Sequence, residues 1–413
     1  MKYGKQFWVT ISLFNLCVVA SLGVLLRTKM VFPLEGVEFS NILEAHYHFA
    51  MNGWITSTLM VLMVYELLPE QFSCKPAYQW MRVGMLITSY GILSCFIING
   101  YTAFTMTFIT LYVVLSIVFA WIFSRDIIRA KAARPIVILC ISAMVSLVLS
   151  GIGPETFLGY VLAAHSVSVL MFRDTAYTYL HFQYNGFFPL AIFALFFNYL
   201  YSLDIPVQAQ RQLRKVSIMW PVTIIPALFL SYLWHYPNII VRSVSGIGCV
   251  CLYIFLFFFF RLLSDVWVYL KRMSRYAKLL GVLSVISLTV KIILQTGTVF
   301  PYIGIIVFGN RPIIIGYIHL VMLGFITLYL LSHFVREGLL KAKSIFTRAS
   351  LLVFASAVVV NEFLLMLQGF SQIFMKFNPI YVWLLWGTMI WLLMGTVMIF
   401  ISKLKYGKLV SQT

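Results

Sequence analysis

Twelve apolar runs, each long enough to cross a bilayer, constrain this chain more than any other feature. A hydrocarbon core about 30 Å thick needs about 20 consecutive apolar residues in a helix rising about 1.5 Å per residue. Runs of that kind fall at approximately 7–27, 44–68, 80–99, 102–123, 135–153, 175–200, 215–235, 239–262, 277–299, 312–334, 346–369 and 379–402. The connections are too short to fold alone, so 1–413 reads as a single integral membrane domain of all-α class. The stretch from Glu155 to Arg173, which holds His165, fits an interfacial helix or an extension of the fifth or sixth span.

Composition agrees with this reading. Hydrophobic residues make up 62% of the 413 and charged residues only 10%, far from a soluble domain. The net charge of +18 comes from basic residues between the apolar runs, which points to loops at a membrane surface and excludes a nucleic-acid partner. The expected partner is membrane lipid. The six cysteines form no Cys-x-x-Cys pair, and five of them lie in apolar runs as small buried hydrophobes. The first apolar run is too long for a cleaved signal, so it reads as a retained helix.

Charge asymmetry gives an orientation. With the N-terminus inside and twelve spans, 23 of the 30 basic residues fall on the inner side and six on the outer, with Lys291 alone inside a span. Cytoplasmic loops carry the excess of Lys and Arg, so both termini are expected to be cytoplasmic. The localisation expected is multi-pass in a bacterial cytoplasmic membrane.

Three histidines stand at matched places in this frame. His48, His181 and His319 lie four to seven residues past the outer starts of spans two, six and ten. His48 to Trp54 and His181 to Phe187 share the pattern His-Phe-x-x-Asn-Gly-aromatic, and His319 to Phe325 keeps the histidine and the glycine. The recurrence every four spans divides the chain into three quasi-repeated groups, approximately 1–134, 135–276 and 277–413.

Ionisable groups inside a bilayer are costly and mark functional positions. Imidazole is a common ligand of heme iron. Two neutral imidazoles on opposite faces of a porphyrin make a six-coordinate site for electron transfer, and the glycine after each histidine allows close approach. His46 and His48 stand about 200° apart around a helix, so both cannot face one ligand. The repeat favours His48, with His319 opposite. Heme propionates would want cations at the outer level, where Arg27, Arg173, Arg242, Arg311 and Lys376 occur. The plainer alternative for each histidine is a hydrogen-bonded packing or pore residue.

Two further buried charges, Lys291 in span nine and Glu362 in span eleven, are expected to pair. Glu66, near the inner end of span two, is expected to reach the interface.

On these features the chain resembles the catalytic subunit I of the heme–copper oxidase and nitric oxide reductase superfamily. The likeness covers the whole chain in topology and only short stretches in motif, among them Ala45-His46 and Tyr317-Ile318-His319. It implies a low-spin heme, heme b by type, held by His48 or His46 and by His319. It also implies that His181 serves a second metal, copper or non-heme iron, with His235 and His165 as further ligands. The seventh span carries His235 in place of a histidine pair, and Tyr317 and Asn185 stand where that family places a histidine and a carboxylate. The implied activity is therefore an oxidoreductase of the terminal oxidase or nitric oxide reductase type with a degenerate binuclear site. The electron would come from quinol or from a cytochrome c-type donor subunit. Two other classes remain in play: a non-catalytic heme or copper sensor or assembly factor, and a secondary transporter using Lys291 and Glu362.

Overall fold

The structure is a computed structural model that describes residues 4–164, 168–376 and 378–407. Among them there is no strand; long helices succeed one another through short turns. The first is α1, Lys5–Val31. Then α2 runs Phe39–His48, continues through a π-helical segment Phe49–Thr56 and finishes as Ser57–Leu67. Next are α3, Pro76–Asn99, α4, Ala103–Arg129, and α5, Arg134–Ala164. Helix α6 has the build of α2: Val169–His181, a π segment Phe182–Phe187, and Phe188–Tyr201. Helices α7, Val207–Leu228, α8, Ile239–Leu270, and α9, Arg275–Gly297, come next. Helix α10 again has three parts: Arg311–His319, a π segment Leu320–Thr327, and Leu328–Arg336. The last two are α11, Ile345–Ile373, and α12, Ile380–Gly407.

Among the described residues eleven helices are long and apolar enough to cross a membrane, the pattern of a polytopic membrane protein. The run read at 44–68 is not among the eleven, although α2 continues unbroken from Phe39 to Leu67. The reason lies in its residues: His46, His48, Asn52 and Glu66 dilute the apolar ones. The Glu155–Arg173 stretch divides between the end of α5 and the start of α6, and His165 lies outside the described residues.

Three helices form the middle of the bundle. Tyr179 Oη donates to Asn52 Oδ1 at 3.0 Å and Asn198 Nδ2 to the Glu66 carbonyl at 3.2 Å, so α2 and α6 lie side by side and run in the same direction. Trp54 Nε1 donates to Thr327 Oγ1 at 3.1 Å and His333 bonds Glu66 at 2.8 Å, which sets α10 parallel to α2. Tyr184 of α6 meets Tyr317 of α10 edge to face at 5.8 Å. The remaining helices surround these. The ring closes where α12 packs on both α1 and α11. Large apolar side chains such as Trp80, Phe104, Trp121 and Val268 stand exposed on the ring, as a lipid-facing surface requires.

Both described chain ends and the basic turns lie at one end of the bundle. Lys5 pairs with Glu66 at 2.6 Å, and Lys403 bonds Gln6 and, at 3.0 Å, the Leu339 carbonyl. Lys75 pairs with the fully buried Asp126 at 2.6 Å at the same end.

Candidate functional site

Each of the three histidines is the last α-helical residue before a π segment: His48 before Phe49, His181 before Phe182 and His319 before Leu320. A π turn carries an extra residue, rotates the next stretch of helix and leaves backbone carbonyls for other donors. Those carbonyls are taken. Asn15 of α1 donates to Gly53 O at 2.6 Å, Trp220 of α7 to Asn185 O at 2.8 Å, and Ser284 of α9 to Phe325 O at 2.7 Å. The histidines thus sit at built irregularities, although their surroundings differ.

His46 and His319 share one region. His46 Nδ1 lies 3.1 Å from the Val19 carbonyl and His319 Nδ1 lies 2.9 Å from the Ile315 carbonyl. A carbonyl only accepts, so each neutral ring carries its proton on Nδ1 and leaves the Nε2 lone pair free. Neither Nε2 makes a hydrogen bond among the described residues. Both rings are half-buried, and His46 lies within electrostatic range of His319. Gly23 of α1 backs the first ring: a Cβ there would stand 3.5 Å from His46 Cε1, in ordinary van der Waals contact.

Cations border the same region. Arg27 of α1 is 9% exposed, bonds only the Met30 sulfur at 3.8 Å and pairs with no carboxylate among the described residues. It interacts electrostatically with His319 and with Arg311, whose guanidinium lies 5.5 Å from the Phe39 ring centre. A buried guanidinium without a counter-ion is costly unless an anion joins it. Lys376 lies in the turn after α11, where its carbonyl accepts from Ser371.

His48, the expected partner of His319, faces a different set of neighbours. It stacks on Phe96 at 5.0 Å, stands 6.4 Å from Tyr179 and lies 3.8 Å from Glu44, while its Nδ1 is buried without a partner. The two-residue offset carries it round the helix from His46, so α2 can present only one imidazole to His319.

Of the second set of expected ligands, the two described histidines, His181 and His235, have separate partners. His181 is fully buried with both ring nitrogens engaged: Nε2 at 2.8 Å from the Ile224 carbonyl and Nδ1 at 3.0 Å from Asn185 Nδ2. The carbonyl accepts a proton from Nε2, and the asparagine amide donates to Nδ1. His235 lies apart, 3.4 Å from Asp174, whose other oxygen accepts from Trp234 Nε1 at 3.1 Å.

Lys291 finds a different partner from the one expected. It is 0% exposed and donates to Asn185 Oδ1, with the Trp220 and Tyr184 ring centres at 5.4 Å and 5.9 Å. Glu362 instead accepts from Asn361 at 3.1 Å. Asn185 is the hub: its amide nitrogen serves His181, its amide oxygen Lys291 and its carbonyl Trp220. The dipole of one asparagine and two aromatic faces thus stabilise the ammonium where a carboxylate was expected.

A third cluster, which hydropathy hides, lies near the basic end. Ligand atoms of Glu66, His333 and Glu337 fall within 4.8 Å of one another. They are already saturated. Lys5 pairs with Glu66 at 2.6 Å, Arg336 with Glu337 at 3.1 Å, and His333 bonds Glu66 at 2.8 Å and Arg336 at 2.7 Å. Because a guanidinium only donates, His333 accepts at Nδ1 and donates from Nε2 to Glu66. Glu66 is thus held inside this network. The spacing of His333, Arg336 and Glu337 on the last turn of α10 is the sequence signal that could have found it.

No protein-family model matches this chain, and no curated protein matches it.

Proposed function

We propose that the chain is an integral membrane heme protein in which His46 and His319 would hold the heme iron. The observation that carries this reading is their shared geometry. Each ring fixes its proton on Nδ1 through a backbone carbonyl and offers a bare Nε2, the arrangement of metal-binding imidazoles. Arg27, buried without a carboxylate, and Arg311 beside it fit the propionates of such a group.

A heme held this way supplies one-electron chemistry. With both imidazoles as its ligands, such a group would supply electron transfer in preference to binding of oxygen or nitric oxide. His181 gives no second reason to invoke a metal, because using either ring nitrogen as a ligand breaks an existing buried bond. We therefore read the role as redox transfer within the membrane, with quinol or a donor subunit as the electron source. Twelve spans in three quasi-repeated groups, with both termini cytoplasmic, complete the proposal; three π segments at matched histidines support it.

The experiment is a reduced-minus-oxidised optical spectrum with iron and copper analysis on protein purified from a heme-replete host. The expected result is a low-spin b-type spectrum with one iron per chain and no stoichiometric copper. Protein with no Soret band and no iron would refute the proposal.

A further inference from the structure

A cavity of about 330 Å³ opens at the basic end of the bundle, beside the His333 network and away from His46 and His319. It is lined by Tyr199 at the end of α6, Leu203 in the turn after it, Tyr269 at the end of α8, Arg272, Met273 and Ser274 in the turn before α9, and Val335 and Arg336 at the end of α10. No carboxylate lines it. Its chemistry is that of an anion site. Arg336 is held rigidly by Glu337, by His333 and by the face of Tyr199, 3.9 Å below its guanidinium. Arg272 lies over Tyr269 at 5.8 Å, is exposed, and pairs with no carboxylate among the described residues. Ser274 caps α9, accepting from Ala277 N, so the positive end of a 23-residue helix also borders the cavity.

We infer that this cavity binds the phosphate group of an anionic phospholipid headgroup. Three observations converge on that class. Two guanidiniums, one pre-positioned and one without an acid, match the forked geometry of a phosphate. Leu203, Met273 and Val335 supply apolar wall among the charged groups, as a headgroup joined to acyl chains requires. The cavity also lies where helices α6, α8, α9 and α10 end among basic turns, at the level of a headgroup layer. The same phosphate chemistry is offered by a soluble anion, and the test separates the two sources.

The test is native mass spectrometry of the full chain in neutral detergent, titrated with phosphatidylglycerol, with phosphatidylcholine, or with inorganic phosphate alone. The expected result is one tight phosphatidylglycerol adduct, with phosphatidylcholine bound weakly and without saturation. Arg272→Gln is expected to weaken the adduct about fivefold, the loss of one membrane-surface cation. Arg261→Gln, a basic residue of α8 that does not line the cavity, is expected to leave it unchanged and controls for folding and overall charge. If inorganic phosphate binds and phosphatidylglycerol does not, the lipid source is overturned and the site is one for a soluble phosphate. Equal binding of the two lipids, or an adduct insensitive to Arg272→Gln, would overturn the anion site itself.

Discussion

A single asparagine decides how the centre of this protein tolerates a lysine. Lys291 has no exposed surface, and its ammonium rests on Asn185 Oδ1 and two aromatic faces. Asn185→Leu would remove that acceptor, strand the cation and strip His181 of a donor. Breaking a buried charged contact in this way costs about 3–5 kcal/mol. Lys291→Met removes the charge together with its need for a partner, and is expected to cost about 1 kcal/mol, the loss of one hydrogen bond. Thermal unfolding of the two variants in detergent should place Asn185→Leu well below Lys291→Met; the reverse order would show that Asn185 does not hold the lysine. The sequence made Lys291 conspicuous but not its partner, because burial favours any good acceptor and not only an opposite charge. The same limit applies to His46 and His48. Helical geometry shows that only one can face His319, while the choice between them depends on how α2 is rotated against α1, which residue spacing does not report.

At the scale of elements, the glycine five residues after each histidine marks a helix contact. A Cβ on Gly186 would stand 2.5 Å from Ser146 Cβ of α5, and one on Gly324 would stand 2.6 Å from Ser287 Oγ of α9. Gly53 exposes its carbonyl to Asn15 of α1. In all three cases the partner is the preceding long helix of the chain. Gly186→Ala is therefore expected to destabilise by about 1–3 kcal/mol through overpacking, and Ser146→Gly to restore part of the loss. Unfolding midpoints of the single and double variants measure this; strictly additive losses would mean that the two residues do not meet. The histidine–glycine spacing was legible because it recurs. The π segments were not, since an inserted residue leaves hydropathy unchanged and shows only in the backbone bonding.

For the whole molecule, the apolar runs made the all-helical, polytopic class legible. Helix ends, basic turns and both described termini gather at one end, with Lys5, Glu66, His333 and Arg336 joined in a network there. Cys74, exposed in the turn between α2 and α3, reports on that end. A variant retaining only Cys74 should react with a membrane-impermeant maleimide in inverted vesicles and stay unlabelled in intact cells. Labelling in intact cells would reverse the orientation. The span most easily lost to hydropathy is α2, whose polar residues serve the interior.

The central claim is that α2 presents His46, and not His48, to a heme shared with His319. Optical and electron paramagnetic resonance spectra of purified His46→Ala, His48→Ala and His319→Ala measure it directly. His46→Ala and His319→Ala are each predicted to lose the low-spin bis-imidazole signature, with His48→Ala retaining it. A low-spin signal that survives His46→Ala and vanishes in His48→Ala would contradict the account.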